Sequence, residues 1–91
     1  MMNLKAKSKQ LLDSLIKFNQ LENNDSLIVW IQETKHFFDH FEFGVGLEHL
    51  IENLYEEGLN LPPEIIEKMK ELLSGMNFKI EELEILNKLS T

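Results

Sequence analysis

Apolar residues recur along this chain at spacings of three and four, and each run stops at residues that cap or break helices. Leu4, Leu11, Leu15 and Phe18, with Leu12 and Ile16 beside them, predict an amphipathic helix over about 4–21. Asn23, Asn24, Asp25 and Ser26 interrupt it. A short oxygen-bearing side chain accepts hydrogen bonds from the amides left free at a helix start, so Asp25 or Ser26 is the expected cap of a second helix reaching about Phe41. Its stripe is Leu27, Trp30, Ile31, Thr34, Phe37, Phe38 and Phe41, roughly 120° wide, with Val29, Glu33, His36 and His40 opposite. So aromatic a stripe belongs at the centre of a core, and Trp30 and Phe38 are expected to be buried there.

Gly44 and Gly46 loosen the chain, but Leu47, Leu50, Ile51 and Leu54 restore the helical period and predict a third helix over about 44–57, ended by Gly58 in a left-handed conformation. Leu61-Pro62-Pro63-Glu64 starts a fourth, because proline in the first turn has no amide to leave unpaired and an early glutamate complements the positive helix end. That helix carries Ile65, Ile66, Met69, Leu72, Leu73 and Met76 on one face, and Gly75 is its stop. Asn77 can cap a last helix over about 78–89, whose apolar residues Phe78, Ile80, Leu83, Ile85, Leu86 and Leu89 cover more than half its circumference. A face that wide fits either a central place in the bundle or a homodimer interface.

No run alternates convincingly as a strand, and neither a repeat nor a low-complexity tract is present. The expectation is an all-α protein: one small domain over 1–91 with four or five short amphipathic helices. Leu47, Leu50, Leu54, Ile66 and Leu73 join Trp30 and Phe38 as its expected core. The longest apolar run, residues 27–31, is far below the roughly 20 residues of a membrane span, and no apolar signal core follows the first lysines. Without cysteine there is no disulfide framework. These features predict a cytoplasmic protein with no membrane association.

Charge narrows the picture further. The net charge is −7, and all nine basic residues are lysine, so no guanidinium is available for bidentate phosphate recognition and nucleic acid is a disfavoured partner. Residues 36–67 hold Asp39, Glu42, Glu48, Glu52, Glu56, Glu57, Glu64 and Glu67 and no lysine. Such a block is either a solvated face or an attractor for a basic protein.

Catalytic chemistry is scarce. His36 and His40, one turn apart with Asp39 between them, resemble the inverted zincin pattern, which however uses glutamate as its base and requires a third ligand; only His49 or a glutamate is on offer. The serines lie in no nucleophile-elbow setting, and Gly44 with Gly46 is no phosphate loop. The expectation is a protein that is not an enzyme, with no catalytic residues, no metal and no cofactor.

The third helix is more informative. At about 100° per residue, Glu48, Val45, Glu52, Glu56 and His49 fall within one 100° arc, opposite Phe43, Leu47, Leu50, Ile51 and Leu54. Glu48, Glu52 and Glu56 are like charges at successive i, i+4 positions, which costs a helix a few tenths of a kcal/mol per pair, and no lysine is spaced along the helix to relieve them.

The stretch Asp39-His40-Phe41-Glu42-Phe43-Gly44-Val45-Gly46-Leu47-Glu48-His49-Leu50-Ile51-Glu52-Asn53-Leu54-Tyr55-Glu56-Glu57, followed by Leu59-Asn60-Leu61-Pro62 and another amphipathic helix, resembles the MafI-type immunity proteins. These small helical bacterial proteins neutralise polymorphic or contact-dependent toxins, often ribonucleases of the EndoU type. The similarity spans about residues 37–77. It implies stoichiometric inhibition of a cognate protein toxin, a basic nuclease domain; together with the lysine-free acidic run, it points to an acidic face of Glu48, Glu52 and Glu56 with Asp39, Glu42, Tyr55 and Glu57 at its margins. The alternative is a helical regulatory or adaptor domain that binds another bacterial protein through the same face.

Overall fold

A computed structural model describes residues 4–75 together with Lys88. Four α-helices follow one another, α1 (Leu4–Glu22), α2 (Asp25–Asp39), α3 (Phe43–Glu57) and α4 (Pro63–Ser74), with no strand among the described residues. No helix among them is long and apolar enough to cross a membrane. The expected helix over 78–89, its Asn77 cap, Met76 and the proposed dimer surface lie outside the described residues.

The packing follows the apolar stripes. The principal contacts are α2 with α3, α1 with α4, and α1 with α2. One core results, containing Leu11, Leu15, Leu27, Ile31 and Phe38 from the first two helices and Leu47, Leu50, Ile51, Leu54, Ile66, Met69 and Leu73 from the last two. Burying each large side chain favours folding by about 1.5–3 kcal/mol before chain entropy is subtracted. Six of the seven expected core residues are buried, but Trp30 is only half-buried and packs against the core from its edge. The physical reason is the width of the α2 stripe, since the neighbouring helices cover its centre and leave its borders wet. Thr34 is fully buried because its hydroxyl donates to the Trp30 carbonyl at 2.7 Å, so no polar atom is stranded.

Helix ends depart from the sequence reading in two places. Asn24, rather than Asp25 or Ser26, caps α2: its side-chain oxygen accepts the Leu27 N–H at 3.0 Å. Buried Asn19 fixes that choice, accepting the Asn24 N–H at 2.8 Å and donating to the Asn24 carbonyl at 3.1 Å. At its other end α2 stops at Asp39, and Phe41, expected on the core stripe, is 73% exposed. Its φ is 59°, left-handed, which turns the ring off the helical face. The Glu42 N–H donates to the Phe37 carbonyl at 2.9 Å and the Phe41 N–H to the Phe38 carbonyl at 3.0 Å, satisfying the last carbonyls.

The end of α3 repeats this arrangement with the residue suited to it. Leu59 N–H donates to the Leu54 carbonyl and Gly58 N–H to that of Tyr55, with Gly58 at φ 69°. A side chain in this conformation costs roughly 1–2 kcal/mol. A Cβ at Gly58 would meet nothing within 4 Å, so Gly58→Ala is expected to lose about 1 kcal/mol through the backbone alone. A urea titration should show a lower midpoint at unchanged slope; an unchanged midpoint would exclude the left-handed stop.

Candidate partner-binding face

Helix α3 separates two chemistries. Leu47, Leu50, Ile51 and Leu54 are fully buried, while Glu48, Glu52 and Glu56 are exposed on the opposite face. Four residues advance a helix by about 6 Å, so the three carboxylate-bearing positions form a ridge roughly 12 Å long. None of the three forms an ion pair among the described residues. Val45, half-exposed, lies within the ridge and adds an apolar patch to it.

The marginal residues are placed differently from one another. Glu42 precedes α3, and its carbonyl accepts the Gly46 N–H at 3.0 Å while its side chain makes no capping bond. Asp39 ends α2 and is held by Lys35, with Nζ to Oδ2 at 2.7 Å. That hydrogen bond above all keeps the Asp39 carboxyl below its ordinary pKa; a small loss of hydration opposes it, and the charges of Lys35, His40 and His36 reinforce it. Both groups are exposed, so the pair carries little stability. The lysine-free run thus begins beside a lysine that already answers its first acid. Glu57 is exposed at the last turn of α3, about 100° around the helix from Glu56, and points away from the ridge line.

Tyr55 is 43% exposed at the ridge edge. The Lys88 ammonium lies 5.6 Å from its ring centroid, within cation–π range. No spacing along α3 could reveal this, because the cation comes from the far end of the chain. It brings positive charge to the negative end of α3, where Glu56 and Glu57 oppose the helix dipole.

The histidines are structural neighbours of this face. The His36 and His40 rings lie against each other with centroids 4.5 Å apart and planes tilted by 50°, and His40 Nδ1 donates to the His36 carbonyl at 2.8 Å. His49 is held between α2 and α3, its ring 5.8 Å from that of Phe37 and its Nε2 3.5 Å from Glu33 Oε1 and 3.2 Å from Asn53 Nδ2. Among the described residues no three His, Cys, Asp or Glu side chains are grouped closely enough to hold a metal ion. Among the described residues of this face, the acids are exposed to solvent, and Glu48, Glu52 and Glu56 make a row of anions along α3.

Sequence reasoning missed Phe41, whose exposure arises from a backbone turn that carries no glycine to announce it. The chain matches no family model, no curated protein and no solved structure.

Proposed function

We propose that this chain is an immunity protein that neutralises a cognate bacterial toxin by stoichiometric binding, without turnover. The observation that carries the reading is the exposed ridge of Glu48, Glu52 and Glu56 on a helix whose other face is anchored in the core. Three unrelieved like charges on one helix face are mildly unfavourable in the free protein, and a basic partner removes that cost. The partner class is a basic nuclease domain, ribonucleases of the EndoU type included, and the resemblance over residues 37–77 points to the same class. In this reading Asp39, Glu42 and Tyr55 border the contact, and Glu57 contributes to the long-range field.

The test is the Glu48→Lys, Glu52→Lys and Glu56→Lys reversals, singly and together, against a toxin domain encoded next to this gene. Each position is exposed, so circular dichroism should stay helical. Association of the triple variant should be at least about tenfold slower at low salt, and toxin inhibition should fail, while the wild type should lose association rate as salt rises. A triple variant that still protects like wild type would place the contact elsewhere. Tight binding to a non-toxin protein through the same ridge would instead support the adaptor role.

A further inference from the structure

A groove of about 590 Å³ runs between α1 and α2 and shares only Asp39 with the acidic face. Its volume is that of a small-molecule site. Leu12, Ile16, Ile31, Phe38, Phe41 and Phe43 line it, and a second groove, lined by Ile16, Ile28 and Ile31 among others, continues it along the same helix pair. Aromatic rings close one end, with Phe43 5.6 Å from Phe38 and 6.1 Å from Phe41 between centroids. The left-handed backbone at Phe41 is what brings the last ring there.

Two polar features distinguish this groove from a bare apolar cleft. Lys5 and Lys9 line it one helical turn apart, and neither forms an ion pair among the described residues, whereas Lys35 across the groove is held by Asp39. Between them in sequence, Ser8 also lines the groove; it is 2% exposed, and its hydroxyl has no hydrogen-bond partner. A buried serine on a helix ordinarily bonds a carbonyl of the preceding turn, and an unpaired hydroxyl is costly unless something else supplies the bond. Lys5, Ser8, Lys9, Leu12 and Ile16 fall on one face of α1, ordered from charged to apolar.

We infer that this groove binds a small amphipathic carboxylate, with its anionic head on Lys5, Lys9 and the Ser8 hydroxyl and its apolar tail along Leu12, Ile16, Ile31 and Phe38. Charge selects the class: in a chain of net charge −7, this groove keeps Lys5 and Lys9 against Asp13 alone once the Lys35–Asp39 pair is set aside. The head therefore meets uncommitted ammonium groups and the tail meets hydrocarbon. This site is independent of the acidic ridge and stands or falls separately from it.

The probe is octanoate, with 1-octanol as the uncharged control of equal tail length. Calorimetry with the full chain should give one saturable octanoate site, and amide shifts in an NMR titration should map to α1 and α2 rather than α3. Octanol should bind at least about tenfold more weakly, and Lys5→Gln with Lys9→Gln should bring octanoate to the octanol level. Ser8→Ala should raise the melting temperature of the free protein, because it removes the orphan hydroxyl, yet weaken octanoate binding several-fold. Absence of saturation up to about 1 mM, equal binding of octanol, or indifference to the lysine changes would overturn the site. Concentration-dependent amide shifts along α1 and α2 without octanoate, with a dimer in sedimentation, would also overturn it, assigning the groove to a second copy.

Discussion

Replacing Leu50 with alanine is expected to remove about 2–5 kcal/mol of stability, a large share of the roughly 5–15 kcal/mol that holds a domain together. Leu50 is fully buried, as are Leu47, Ile51 and Leu54 on the same face of α3. The lost methine and two methyl groups forfeit their transfer free energy, and the cavity left behind adds a further penalty because close-packed helices relax only partly. Equilibrium unfolding in urea should show a lower midpoint with little change in slope. The ridge faces the other way, so the folded fraction should still bind a partner with native affinity. A loss below about 0.5 kcal/mol, the range of a surface substitution, would mean that the core face of α3 is misassigned. The same measurement on Glu52→Lys supplies the contrast, since that exposed position should cost almost nothing in folding.

The helices themselves were legible because each carries a 3.6-residue apolar period ended by a residue with a physical reason to end it. Gly58 and the Pro62-Pro63 pair act as their chemistry requires: the glycine is left-handed at φ 69°, and Pro63 opens α4. Boundaries blur where several residues compete for one role. Asn24, Asp25 and Ser26 can all cap a helix, and the decision falls to Asn19, a polar residue inside α1 whose amide clamps Asn24 from both sides. That choice depends on tertiary geometry which periodicity does not carry. Phe41 shows the opposite failure. It falls on the apolar stripe by spacing, yet the backbone turns left-handed there without glycine or asparagine, so a residue predicted for the core emerges at the surface.

For the candidate face, sequence spacing was sufficient wherever the residues share one helix. Glu48, Glu52 and Glu56 are exposed together, as their angles on α3 require. Spacing was insufficient where residues come from different parts of the chain. Lys88 over Tyr55, Glu33 beside His49 and Lys35 on Asp39 are contacts that alter the charge of the face's margins. Only the Lys35–Asp39 pair was within reach of an i, i+4 rule, and a count of lysines beginning at residue 36 hides it. Under the proposed role, the ridge is then the part of the face that would meet a partner's cations, while Asp39 is already engaged by Lys35.

The second large effect is expected at Gly46, where α3 packs closely against Phe37 and Phe38 of α2. A Cβ there would lie 2.8 Å from the Phe37 Cβ and 3.0 and 3.1 Å from Phe38 Cε1 and Cδ1. The Phe38 ring can rotate slightly, but the Phe37 Cβ is fixed to its backbone, so relief requires the helices to move apart. On an exposed helix, glycine to alanine stabilises by about 0.5–1 kcal/mol, which makes the sign of the effect diagnostic. Overpacking should reverse it: Gly46→Ala should destabilise by about 1 kcal/mol and Gly46→Val by about 3 kcal/mol or more. For a domain of this size the valine variant should melt more than about 10 °C lower. Separation of the two helices would also shift the turn that carries Phe41 and Glu42 between them, so the valine variant should lose octanoate affinity through the displaced Phe38 and Phe43 end of the groove. Because the ridge residues lie beyond Gly46 along a single rigid helix, their mutual spacing should persist. A Gly46→Ala variant that gains stability would show that α2 and α3 stand further apart than this packing requires.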